Sequence, residues 1–120
     1  MTLQECYAAM GGDYAGVTSR LPTERMVQKF VLKFLNDGSY DLLVRSMEAE
    51  DYAEAFRAAH TIKGVCQNLG FTVLYQSSSQ LSEALRHGYT PEADSLVEQV
   101  SKNYQETVGA IRAFEASAGV

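Results

Sequence analysis

Cysteine is scarce in this chain: two in 120 residues, Cys6 and Cys66, do not make a disulfide framework. Positive charge is also short, with ten Lys and Arg against fifteen Asp and Glu and a formal net charge of −5. That balance argues against nucleic acid, whose phosphates want clustered cations, and no polybasic run suits an anionic membrane. No apolar run approaches the roughly 20 residues of a membrane-spanning helix. The opening Met1-Thr2-Leu3-Gln4-Glu5-Cys6 lacks the basic and then apolar segments of a signal peptide. A reducing cytoplasm is therefore the expected compartment. There is no glycine-rich nucleotide loop and no metal-ligand cluster, and histidine occurs only at His60 and His87. Nothing here binds ATP or activates Mg²⁺, so no cofactor is expected. No strand-like alternation, repeat or low-complexity stretch is visible.

What is present is helix. Hydrophobic residues make up 46% of the sequence, enough for a single core, and one domain over residues 1–120 is expected. Thr2-x-x-Glu5 reads as a capping box before Leu3, Cys6, Tyr7 and Met10, and Gly11-Gly12 stops that helix. A short helix from about Tyr14 to Arg20 ends before Pro22. Thr23 caps the next, with the stripe Val27, Phe30, Val31, Phe34 and Leu35. Asn36-Asp37-Gly38 is a turn, and Ser39 is expected to cap a short helix to about Ala49. Asp51 caps the following helix and Gly70 ends it. Another runs from Thr72 to Gly88 with Leu74, Leu81 and Leu85 inward. Thr90-Pro91 reads as an N-cap and first helical residue of the last, whose stripe runs from Ala93 to Phe114. Connections this short make neighbours antiparallel. The expected architecture is all-α: an up-and-down four-helix bundle over residues 23–117, capped by short N-terminal helices in residues 1–21.

The segment from Ala59 to Gly70 carries the chemistry. With Ile62 as reference and about 100° per residue, Ala55, Ala58, Ala59, Val65, Cys66 and Leu69 lie within about 60° of it. Cys66 is thus a small core residue. His60 falls about 160° away, on the outer face, flanked by Lys63, Gly64, Gln67, Phe56 and Arg57. A glycine inside a helix costs roughly 1 kcal/mol relative to alanine, so Gly64 needs a reason. Room for another protein beside His60 is one reason; close helix packing is the other. Phe56 either tucks under a neighbouring helix or joins an exposed patch. Lys63 and Gln67 alone read as solvated side chains, and so do Gln80, Ser82 and His87.

Ala59-His60-Thr61-Ile62-Lys63-Gly64, followed by Leu69-Gly70, resembles the histidine-containing phosphotransfer domain of bacterial phosphorelays. The resemblance extends to Lys29–Gly38, Ala55-Phe56 and Leu81–Arg86, and in effect covers residues 14 to 115. It implies that His60 is phosphorylated, that Lys63 lies near the phosphoryl group, and that Gly64 leaves room for a docked receiver domain. Phe56, Arg57 and Gln67 become partner contacts. Many members carry a glutamine on the next helix that reaches the histidine; the matching position here is Ser82, with Gln80 nearby, as possible imidazole partners.

The chemistry suits these residues. Imidazole has an ordinary pKa of about 6.5, so an exposed histidine is mostly neutral and nucleophilic at pH 7. A phosphoryl group adds about two negative charges to an already acidic chain, and Lys63 offsets them, with Arg57 within reach. The resemblance implies a phosphoryl carrier rather than an enzyme; a monomer is expected, free-standing because the chain begins with Met and spans one domain, with no nucleic acid or membrane partner in view of its charge. Its partners are response-regulator receiver domains, which bring the aspartate and Mg²⁺, and an upstream hybrid histidine kinase. The alternative is a helical adaptor that binds partners without phosphorylation. A metal-dependent hydrolase would need inward Glu and His clusters, which the inward stripes lack.

Overall fold

Most helices begin where the sequence supplies a cap. In the computed structural model, which describes residues 1–118, Thr2 and Glu5 exchange bonds of 2.8 and 3.1 Å and close the capping box of α1 (Leu3–Met10). The last two positions of the expected 1–120 domain lie outside the described residues. Asp13 caps α2 (Tyr14–Arg20), Thr23 caps α3 (Glu24–Lys33) and Asp51 caps α5 (Tyr52–Leu69), each by accepting a backbone N–H three residues on. Gly70 ends α5 in the left-handed region at φ 72°, where a side chain would be strained.

Two caps differ from expectation. Ser39 is the first residue of α4 (Ser39–Glu48), and Gly38 holds the N-cap position. The Asp37 carboxylate accepts the Ser39 N–H at 2.8 Å, so a two-residue reach replaces the serine cap. The Thr90 hydroxyl does not cap α7 (Glu92–Ala118); it donates to the Ala84 carbonyl at 3.1 Å instead. That carbonyl belongs to the last turn of α6 (Thr72–Leu85), which ends before Gly88 because Arg86 and Gly88 bond three residues back.

The expected all-α bundle forms, with no strand among the described residues. Helices α4 to α7 run up and down in sequence order, each packed on the next, and α1 lies along α7. Helix α3 and the 3₁₀ turn Phe34–Asn36 cover α5 and α7. The predicted stripe of α5 is buried at Ala55, Ala58, Ala59, Ile62, Cys66 and Leu69, with Val65 at its margin. Facing it, α6 buries Ser77, Ser78 and Ser82 among its leucines. Ser77 and Ser78 return their hydroxyls to the Leu74 carbonyl, which lets small polar residues enter the core.

The N-terminal helices act on the end of α5. The last carbonyls of a helix have no partner within it. Here Tyr7 Oη donates to the Leu69 carbonyl at 2.7 Å and the Asp13 N–H to that of Gly70 at 2.8 Å. Arg20 reaches the Gln67 and Asn68 carbonyls at 3.1–3.3 Å. Gly12 makes this approach possible, because a Cβ there would sit 2.7 Å from the Tyr7 ring and 2.9 Å from the Gly70 oxygen.

Candidate functional site

His60 lies midway along α5, exposed, with Ala59 and Ile62 buried beside it. Its imidazole stacks on Phe56 one turn earlier, with ring centroids 5.9 Å apart and planes 25° from parallel. Phe56 is half-buried against the core. The guanidinium of Arg86, the C-cap residue of α6, covers its ring at 5.5 Å from the centroid. Arg86 is itself held by Glu83, Nε to Oε2, at 3.1 Å. Of the two readings of Phe56, tucking against the neighbouring helix is the one the geometry shows. The ring is a platform for the imidazole. An exposed cation–π contact is worth about 0.5–1 kcal/mol, enough to bias the stack without freezing it.

Lys63 is one turn further on, half-buried, and among the described residues it has no carboxylate partner. Arg57 is exposed and pairs with Glu54 on its own helix. Such a surface pair is worth under about 1 kcal/mol, so Arg57 is diverted rather than locked away. At Gly64 an added Cβ would meet nothing within 4 Å. Close helix packing therefore does not account for this glycine; the space beside it is open. Both thiols are buried and free. Burial pushes Cys6 up to about 11 and Cys66 higher still, so neither offers a thiolate at neutral pH.

An exposed, stacked imidazole beside an unpaired lysine and an open glycine suits a group that is loaded and unloaded by another protein. The sequence model of the Hpt domain matches residues 26–113. The chain belongs to the Hpt-domain family. Hpt domains are phosphocarriers in histidine phosphorelays, where they meet receiver domains and histidine kinases. No curated protein and no solved structure matches the chain. The match starts inside α3, so α1 and α2 lie outside the matched residues.

Within this Hpt domain the two possible imidazole partners are not brought to the ring. Phe56 and Arg86 set the register of the antiparallel α5–α6 pair, so Ser82, one turn before Arg86, is level with His60. Ser82 is nevertheless 1% exposed, facing the core while the imidazole faces out, and its hydroxyl has no hydrogen-bond partner. That corrects its reading as a surface residue. Gln80 is exposed and lines a shallow cleft with Glu83 and His87, and it makes no bond to His60. Gln67 is exposed on the outer side of α5, and its backbone oxygen is held by Arg20. Arg86 and Arg20 were missed by sequence reasoning: each acts on α5 from another helix, and no local pattern marks them. Among the described residues no helix is long and apolar enough to cross a membrane, and no three His, Cys, Asp or Glu side chains gather to hold a metal.

Proposed function

We propose that this Hpt domain is a phosphorelay intermediate that accepts a phosphoryl group on His60 from the aspartate of one receiver domain and passes it to another. The observation that carries the reading is the exposed imidazole on its Phe56 platform, with Lys63 unpaired and Gly64 open beside it. The unprotonated ring nitrogen attacks phosphorus. An N–P bond forms as the P–O bond to the aspartate breaks, and the carboxylate leaves with the electron pair. The proton on the other ring nitrogen can then pass to water. The reverse sequence unloads the carrier. Mg²⁺ belongs to the receiver's aspartate site in this scheme, and the cytoplasm is where such partners would be met. The domain works as a monomer.

Incubation with phosphorylated receiver domains tests this. Acid-labile, alkali-stable label should appear on the chain and then leave it when a second receiver is added. Absence of label with every donor, including the small donor phosphoramidate, would favour the unphosphorylated adaptor.

Lys63 has a separable role. At about 5 Å, unlike charges attract by under 1 kcal/mol in water and several-fold more once a docked domain excludes it. Lys63→Ala should therefore shorten the phosphohistidine lifetime only a few-fold and slow transfer within the docked complex more. Helicity should not change. Label decay and single-turnover transfer measure the two effects, and wild-type values for both would make Lys63 a bystander.

A further inference from the structure

The turns at one end of the bundle bring two tyrosines together. Tyr52 opens α5, and Tyr89 lies in the turn between α6 and α7. Their ring centroids are 5.0 Å apart, with planes 41° from parallel. Tyr89 is 45% exposed and Tyr52 half-buried, so one ring is open to solvent and the other backs it. Each ring is tied to a carboxylate. The Tyr52 hydroxyl donates to Glu50 Oε1 at 3.5 Å, and the Tyr89 hydroxyl to Asp94 Oδ2 at 2.6 Å. Among the described residues the second oxygen of each carboxylate accepts no bond, and no lysine or arginine pairs with either acid.

The surroundings carry one sign of charge. Residues 46–56 and 87–101 hold seven of the fifteen acids and no lysine or arginine. Of the seven, only Glu54 meets a cation among the described residues, its helix neighbour Arg57. Packing alone accounts for two rings in contact. It does not account for exposed rings held by unpaired carboxylates in a region without a cation.

A π face attracts a cation, and a carboxylate attracts it and accepts its N–H groups. A guanidinium uses both, because its plane lies on a ring while its fork of donors reaches carboxylate oxygens. An ammonium is a point charge and gains less from the ring. A metal ion would leave the rings unused, and no three acids gather to hold one among the described residues. The hydroxyl bonds fix the rings beforehand, so little ordering is left for binding to cost.

We propose that Tyr52, Tyr89, Glu50 and Asp94 form a docking surface for an arginine in a basic segment of a partner protein. The guanidinium lies over the open Tyr89 ring and bonds the free oxygens of Glu50 and Asp94. The exposed acids Glu48 and Glu92 attract the cations that flank it. This surface works apart from phosphoryl transfer, and the proposal does not rest on the phosphocarrier reading of His60.

A fluorescent peptide with three arginines spaced by glycine and serine is the probe, titrated with the full chain at low salt. The double variant Glu50→Gln/Asp94→Asn removes two charges and keeps the shapes. It should raise Kd about tenfold, an effect that shrinks with salt. Tyr89→Ala removes the open ring and should raise Kd about fivefold. Replacing arginine by lysine in the peptide should weaken binding to wild type several-fold, and by neutral citrulline should abolish it. Glu24→Gln/Glu115→Gln lowers the net charge equally at other places and should bind as wild type does, as should His60→Gln. No binding of the arginine peptide to wild type overturns the proposal. So does a wild-type Kd in both site variants, or an equal loss in Glu24→Gln/Glu115→Gln, which makes the attraction one of net charge. Loss of binding in His60→Gln would move the site to the imidazole face and overturn it as well. Tetramethylammonium raising the melting temperature of wild type but not of Tyr89→Ala, with the peptide unbound, assigns the rings to a small cation. A dimer in sedimentation that Glu50→Gln/Asp94→Asn abolishes assigns them to a second copy. Either result overturns the proposal.

Discussion

His60→Gln abolishes phosphoryl uptake and leaves the fold as it was. The chemical half of this expectation follows from the nucleophile inventory. The thiols are buried and protonated, and His87 stands in the turn just past α6, exposed, with no aromatic platform beneath it. Among the described residues only His60 joins exposure to a neighbouring unpaired cation. The structural half follows from burial. The His60 ring is on the surface and makes one stacking contact, so the stability change should stay within about 0.5 kcal/mol. Transfer from a receiver should fall to background, and the melting temperature should move by a few degrees at most. Label on His87, or uptake by the variant, would remove the assignment of the carrier to His60.

Gly64→Gln separates docking from folding, and its two effects should have opposite signs. A glycine inside a helix costs roughly 1 kcal/mol relative to a good helix former. Nothing lies within 4 Å of the space a Cβ would take at this position. The variant should therefore melt no lower than wild type, and by propensity somewhat higher. The same side chain projects beside His60, where a receiver must close on the imidazole, so transfer should drop by one to two orders of magnitude, about 1.4–2.8 kcal/mol of lost complex stability. Labelling by phosphoramidate should persist, because that donor fits around the new side chain. Normal transfer by a stable Gly64→Gln variant would show that the open space serves no docked partner.

The helices were legible because the signals that make them are local. A capping side chain bonds a backbone group two or three residues away, and the 3.6-residue period places the apolar stripe without reference to any other segment. Thr2, Asp51 and Gly70 behave as their neighbours in the sequence require. Ser39 and Thr90 do not, since each had a competitor. Asp37 accepts the N–H of Ser39 itself, which leaves Ser39 as the first helical residue rather than the cap, and the Ala84 carbonyl takes the Thr90 hydroxyl.

The sequence by itself determined that this chain is helical, that its apolar stripes can close a bundle, and that His60, Lys63 and Gly64 share the outer side of one helix. Those properties depend on spacing along a single segment. Only the tertiary structure decided that Phe56 lies beneath Arg86, thirty positions away, that Ser82 faces the core with its hydroxyl unpaired, and that Arg20 closes the end of the His60 helix. These contacts join residues far apart in the chain. Their geometry is set by the register and approach of packed helices, which arise from the whole core at once and leave no mark in any one segment.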